Sequence, residues 1–341
     1  MRPPLGIMLH TGDMGYPDIV RFARRAEDAG YEHFLLTEES AKEAFSLLAA
    51  LATATQKIRL GTGIVSFYTR TPTLLAMAAR SIWELSSGRF SPLGIGTGGI
   101  GFMTRGHGMT LDRPVGRARE TVEIVRSLLT EPRTSYQGKW FRVEDFHLRE
   151  GALPDGARIP IWLAALGPQM ATMSGRVADG MISNWLIPES LAEYRTLIQA
   201  GATISGRSQS DFQISSLTMV CVDPSDEEAV RAARRGVAFY CASTHYHHIA
   251  DLAGLGEQAR RVQSVWETRD FEAAAAMVSD EMLARFTLAG SDRENEARLK
   301  WMISEGVLPI IYPLPRRSRV VEDHFTVLER AAAWSGLGGK D

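Results

Sequence analysis

The chain has 341 residues, 45% of them hydrophobic and 23% charged, values near the average for soluble globular proteins that exclude a disordered or fibrous chain. Lys and Arg number 38 against 40 Asp and Glu, a net charge of −2, so no broad field attracts a polyanion and nucleic acid is not an expected partner. With two cysteines, Cys221 and Cys241, no leader-like apolar core after Met1 and no run of about eighteen apolar residues, the expectation is a reduced, cytoplasmic protein without a membrane span.

Leu5 to Leu9 is a short apolar run closed by His10-Thr-Gly. From Pro17 the residues Ile19, Phe22, Ala23 and Ala26 recur on one face until Gly30, which predicts strand, loop and helix. The unit repeats. Strand His33 to Thr37 precedes helix Glu43 to Thr55, strand Ile58 to Val65 precedes helix Pro72 to Leu85, and strand Phe90 to Gly96 precedes a long helix from about Pro114. Thr134 to Leu148 alternates apolar and polar residues around Gln137-Gly138 and predicts a small hairpin. Alternation then resumes with strand Ile159 to Ala164, helix Pro168 to Ala178, strand Gly180 to Asn184 and a helix near Leu191 to Ala200. Strand Phe212 to Val222 and a helix from Ser225 follow. Residues 240 to 305 read as several helices without a strand, before a last strand in Gly306 to Tyr312 and a closing helix, Val320 to Trp334.

Strands that alternate with helices form a parallel sheet, because a parallel connection needs a crossover. Eight such units favour an α/β fold of the closed (β/α)8 TIM-barrel type over an open dinucleotide-binding sheet. The latter needs G-x-G-x-x-G after its first strand, where His10-Thr-Gly-Asp-Met-Gly stands. One domain over 1–341, with insertions near 97–158 and 240–305, is expected.

Glycines number 31, about 9% of the chain where about 7% is usual, so their positions matter. In a barrel, chemistry sits on the loops after the strands' carboxyl ends. Gly94 to Gly101 straddles the end of the fourth strand; Gly94 and Gly96 suit a tight wall, whereas Thr97, Gly98 and Gly99 suit contact with a phosphate-bearing ligand. Leu166-Gly167-Pro168-Gln169-Met170 opens a helix with free N–H groups, an anion site by geometry. Gly61 and Gly63 inside the third strand fit a bulge or the close approach of a flat ligand.

Several stretches together resemble the luciferase-like (bacterial luciferase) superfamily of flavin-utilising barrels, and within it the branch of F420-dependent methylenetetrahydromethanopterin reductases. They are Leu60-Gly-Thr-Gly-Ile-Val65, Thr71-Pro72, Leu85-Ser-Ser-Gly-Arg-Phe90, Gly94-Ile-Gly-Thr-Gly98, Arg105-Gly-His-Gly108, Ile159 to Pro168, Ala178-Asp-Gly-Met-Ile182 and Ala242 to His248. The resemblance implies a cytoplasmic, homodimeric oxidoreductase that moves a hydride between coenzyme F420 and a small organic substrate. The alternative it leaves open is a monooxygenase using reduced FMN and oxygen. It implies a bulge with a non-prolyl cis peptide at Gly63-Ile64, continuing into Val65, behind the cofactor ring. Phosphate contacts would fall on Thr97, Gly98 and Gly99 and on Leu166 to Met170.

The chain departs from that branch where relatives carry Asp-His after strand two, since Glu38-Glu39 stands there, and where they carry Glu after strand four, since Gly99 or Ile100 stands there. The proton donor is therefore sought among this chain's own residues. His10 follows strand one at the mouth, where a neutral imidazole can bond a carbonyl. Glu38 and Glu39 alternate in direction, so one can face the mouth with a raised pKa; the alternative is an N-cap or a solvated pair. His107, between two glycines, lies on a loop that can close over the ring or that forms a mobile surface turn. His245, His247 and His248 lie among aromatic residues and read as packing rather than a metal site. Trp185 lines the substrate pocket or shields the barrel top, and Arg231, Arg234 and Arg235 read as a solvated face.

Overall fold

A computed structural model describes residues 3–337. The strands are β1 (Gly6–Leu9), β2 (His33–Leu36), β3 (Arg59–Thr62), β4 (Val65–Ser66) and β5 (Leu93–Gly96), then a hairpin of β6 (Arg133–Gln137) and β7 (Arg142–His147). They continue as β8 (Ile161–Ala164), β9 (Gly180–Asn184), β10 (Gln213–Cys221), β11 (Thr287–Leu288) and β12 (Val307–Leu314). Helices α1 (Tyr16–Asp28), α2 (Ala44–Ala54), α3 (Pro72–Leu85), α4 (Pro114–Thr130), α5 (Pro168–Val177), α6 (Pro188–Ser205) and α7 (Glu227–Cys241) alternate with them. Between β10 and β12 lie α8 (His247–Leu252), α9 (Gly256–Glu267), α10 (Phe271–Ala276), α11 (Asp280–Phe286) and α12 (Asp292–Ser304); α13 (Val320–Ser335) closes the chain.

The parallel ladder runs β3-β2-β1-β12-β10-β9-β8-β5-β4. Its two ends are pieces of one strand, split at the cis peptide Gly63–Ile64. Because the Thr62 N–H donates to Pro92 O at 3.1 Å while β4 pairs with β5, the ends meet and the expected barrel closes. The chain is an α/β TIM barrel.

Period decides each layer. Every residue of β1, β2, β5 and β9 is buried, as expected of strands covered on both faces. Helix α1 turns Ile19, Phe22, Ala23 and Ala26 onto the sheet, the 3.6-residue stripe that the sequence shows. Met8, Leu35, Trp162, Ile182, Leu308 and Ile310 fill the barrel's inside. The wall is tight at Gly94, where a Cβ would lie 2.1 Å from Thr62 O; only glycine fits there.

Three predicted features change. Residues 240–305 contain a strand after all, β11, which pairs with β10 through Met219 and Val220; two residues are too few to show a period. Helix α6 runs longer than Leu191 to Ala200, starting at Pro188 and ending at the left-handed Gly206. Arg234 and Arg235 are not a solvated face, since they pair with Asp280 at 2.6 Å and with Glu272 at 2.8 Å and tie α7 to α11 and α10.

Candidate active site

A cleft of about 990 Å³ opens at the carboxyl ends of the strands, the face on which barrel enzymes place their chemistry. Its floor is apolar: Met8, Gly63, Ile64, Ala164, Ile182 and Leu217. One wall is the loop Thr97 to Gly101. Gly98 has φ +78°, a left-handed conformation that glycine adopts freely. The loop is held at its root by Ser66, whose Oγ donates to Thr97 O at 2.9 Å. Leu166 lines the cleft nearby, and its carbonyl accepts the Tyr194 hydroxyl at 3.1 Å. The next residue, Gly167, caps α5 without a side-chain hydrogen bond and with Pro168 in the first turn. Nothing stands within 4 Å of where its Cβ would be, and the N–H groups of Gln169 and Met170, in the first turn, have no intrahelical partner.

The two adjacent carboxylates after β2 differ. Glu38 is gripped by Arg70, Nε to Oε1 at 3.1 Å and Nη2 to Oε2 at 2.8 Å, and also accepts the Ala44 N–H at 3.0 Å at the start of α2. The N-cap of α2 is Glu43, which accepts the Phe45 and Ser46 N–H groups, so Glu38 meets the helix start without capping it. Glu39 lines the cleft and lies 3.2 Å from His10 Nε2.

His10 departs from the neutral imidazole expected of it. Hydrogen bonding to Asp13, 3.4 Å away, and then to Glu39 pushes its pKa up to about 10, so the ring is cationic at neutral pH. The Gly12 N–H also lies 3.2 Å from Nδ1. A doubly protonated ring offers that nitrogen no lone pair, so the two carboxylates govern its state. Burial pulls Asp13 upward, but hydrogen bonds from His10 and His324 outweigh it and hold its carboxyl near 2.

Other predicted residues fall as follows. Glu38, Glu39, Gly63, Ile64, Thr97, Gly98, Gly99 and Leu166 line the cleft. His10 stands behind Glu39, and Val65 is buried in β4. Gly167 to Met170 begin α5 beside Leu166. His107 ends an exposed π-helical turn, Phe102–Gly106, and is not among the lining residues. His245 reaches the cleft, with a pKa lowered by burial. His247 bonds Cys241 O at 3.2 Å and His248 bonds Glu193 at 2.7 Å, so the three histidines point to different partners. Trp185 shields rather than lines: it is buried and stacks on Phe286 at 4.2 Å.

Sequence reasoning missed Asn184, Tyr240, Tyr246 and Tyr312, which all line the cleft. Asn184 Nδ2 donates to the Tyr246 hydroxyl at 3.3 Å. Burial, followed by the nearby Asp13 and Glu39 charges, raises the Tyr312 phenol well above its usual range, so it stays protonated. Tyr312 ends the last strand's inward-facing series, a signal available in the sequence; Asn184 and the two tyrosines of the insertion carried none. At the outer rim Phe239, Trp266 and Phe271 form an aromatic shelf, with Trp266 and Phe271 rings 4.6 Å apart.

Among the described residues no helix is long and apolar enough to cross a membrane. Residues 3–307 match the model of the luciferase-like monooxygenase family. The 5,10-methylenetetrahydromethanopterin reductase of Archaeoglobus fulgidus is 30% identical over 309 residues, covering 89% of this chain and 91% of that protein. The coenzyme F420 dependent tetrahydromethanopterin reductase of Methanopyrus kandleri superposes with a TM-score of 0.83 at 23% identity, over 97% of this chain and 98% of its own. A monooxygenase from Streptomyces bottropensis superposes with a TM-score of 0.65 at 19% identity, over 96% and 98%. A barrel with its cleft at the strands' carboxyl ends, matched by the family over residues 3–307, places this chain in the luciferase-like monooxygenase family, as an enzyme of the oxidoreductase class.

Proposed function

We propose that the enzyme uses coenzyme F420 to move a hydride to or from a small organic substrate. The observation that carries this reading is the pairing of an apolar floor at Gly63 and Ile64 with two glycine-bordered loops, Thr97 to Gly101 and Leu166 to Met170. A planar ring fits the floor, and a phosphorylated side chain fits the loops: Gly167 has open space around it at the start of α5, and Gly98 lines the cleft on the facing loop. Similarity, at 27% identity over 285 residues, to a putative coenzyme F420-dependent oxidoreductase of Mycobacterium tuberculosis supports the deazaflavin over FMN.

When bound, the coenzyme supplies the hydride. The protein's residues do the rest. The floor orients the ring, and the aromatic groups Tyr240, Tyr246 and Tyr312 exclude water around the reacting atoms. Glu39, facing the cleft with the His10 imidazolium behind it, delivers or accepts the proton that accompanies the hydride. Glu38, already held by Arg70, shapes the mouth without entering the chemistry.

Titrating the protein with F420 and, separately, with FMN, and following ligand fluorescence, tests the reading. F420 binding with weak FMN binding is expected. Tight FMN binding without F420 binding overturns it in favour of the oxygen-using monooxygenase.

A further inference from the structure

Four side chains from three separate parts of the fold form one line leading out of the cleft. Glu39 Oε2 lies 3.2 Å from His10 Nε2. His10 Nδ1 lies 3.4 Å from Asp13 Oδ1. The other carboxylate oxygen of Asp13 lies 3.3 Å from His324 Nε2 on α13. His324 is fully buried, fixed by an Nδ1–H bond to Val320 O at 2.7 Å and by the edge of the Phe22 ring, centroids 5.6 Å apart. A surface histidine needs no such support. Asp13 thus faces a histidine nitrogen on each oxygen at ion-pair distance, 3.4 and 3.3 Å, which places it to orient His10.

We propose that Asp13, itself paired with His324, is a positioning residue that holds the His10 imidazolium as the proton source behind Glu39. The geometry repeats the logic of a carboxylate that orients a histidine and stabilises its cation while a third group meets the substrate. The proposal rests on the reading of Glu39 given above. In the reducing direction the His10 Nε2–H bond breaks as an O–H bond forms on Glu39. That O–H bond breaks in turn as the proton joins the substrate atom whose bonding pair the incoming hydride has displaced. His10 is left neutral with its proton on Nδ1 facing Asp13. Water reprotonates Nε2, since one quarter of the His10 side chain is exposed. In the oxidising direction every step reverses.

The charged and titratable groups that face His10 come from each element around it. Asp13 lies on its own loop and Glu39 on the loop after β2. The Lys42 ammonium bonds the Thr11 and Met14 carbonyls of the His10 loop, each at 2.9 Å. Tyr312 comes from β12, where Asp13 and Glu39 act on it, and His324 from α13. The two carboxylates dominate, and they hold His10 protonated to about pH 10.

The test follows the His10 ring by NMR in the histidine-labelled whole protein, together with the pH dependence of turnover. In the wild type His10 titrates near 10. Asp13→Asn lowers that midpoint by about 1 to 3 units, the effect of one adjacent charge, and the alkaline limb of the rate profile moves down with it; Asp13→Glu restores both. His324→Gln raises the Asp13 titration from about 2, because one of the bonds holding it down is lost. A wild-type His10 that titrates near 6.5 overturns the proposal without any variant, and so does an Asp13→Asn protein whose rate falls equally at every pH with the His10 midpoint unmoved. Failure of F420 to support turnover overturns the functional reading alone, because the NMR result still decides the positioning role.

Discussion

Arg70 holds Glu38 through two nitrogens, at 3.1 and 2.8 Å, whereas its sequence neighbour Glu39 meets His10 at the cleft. The pair divides labour by direction along the chain. Glu38→Gln leaves Arg70 partly buried beside a neutral amide, which costs about 1–3 kcal/mol, so it lowers the melting temperature more than it lowers turnover. Glu39→Gln lowers turnover about 100-fold or more, the usual share of a positioned acid, and it also gives up some stability, because Glu39 helps hold the His10 ring charged in the folded state. Thermal unfolding and steady-state rates on both variants check the contrast.

Gly94 and Gly98 stand four residues apart and answer to different needs. At Gly94 a Cβ would sit 2.1 Å from Thr62 O in the barrel wall, so Gly94→Ala is expected to leave the chain unfolded or aggregated. Gly98, on the cleft loop with φ +78°, would place a Cβ 3.1 Å from the flexible Met103 side chain. Gly98→Ala costs about 1 kcal/mol of backbone strain and moves the loop, so the folded variant is expected to bind F420 at least tenfold more weakly. Circular dichroism separates the two outcomes, and fluorescence titration measures the second.

What the sequence showed and what it hid have a physical division. The barrel was legible because Ile19, Phe22, Ala23 and Ala26, and their counterparts in later helices, repeat at the helical period, and because apolar strands need helices on both faces. The glycine loops were legible because a missing Cβ is a local property. The charge on His10 was not, since it depends in part on Glu39, 29 residues away, meeting the ring in the folded chain. The wall of Asn184, Tyr240 and Tyr246 was hidden for the same reason: β9, the end of α7 and the turn that follows it meet only in the folded chain. Arg234 and Arg235 look like a solvated face until α10 and α11 fold back over α7.

Asp179 is a stability determinant with a defined pH signature. Its buried carboxylate accepts Arg126 and Arg207 at 3.0 and 3.1 Å, Arg158, and the Ile161 N–H at 2.9 Å. Burial pulls its pKa up, but the arginines and that N–H win and lower it. A carboxyl with a lowered folded-state pKa adds stability that is complete above the unfolded value near 4 and is lost as pH falls through the folded one. Asp179→Asn leaves these partly exposed arginines without their carboxylate and is expected to cost about 1–3 kcal/mol at pH 7. The difference from wild type should shrink steadily below pH 4. Urea unfolding of both proteins between pH 7 and pH 3 measures it; a difference that stays constant over that range would refute the assignment.

Among the described residues, Arg298 fastens the insertion to the barrel without an acidic partner. Its guanidinium donates to the carbonyls of Ala284, Thr287, Arg285 and Leu186, at 2.9, 3.0, 2.7 and 3.3 Å, and burial pushes its pKa down to about 10. These carbonyls lie at the end of α11 and beside Trp185, so the clamp holds the Phe286 ring on Trp185 and, through it, Tyr246, 4.9 Å from Trp185. Arg298→Met keeps the stem's bulk but leaves buried carbonyls unpaired, a loss of about 1–3 kcal/mol. Because the barrel core does not depend on these bonds, the loss should appear locally. Amide exchange is expected to accelerate in residues 284–288 while β1 and β9 stay protected, and KM should rise more than kcat falls, since Tyr246 lines the cleft rather than carrying the proton. Exchange that speeds up equally in the insertion and in β9 would show instead that Arg298 supports the whole barrel.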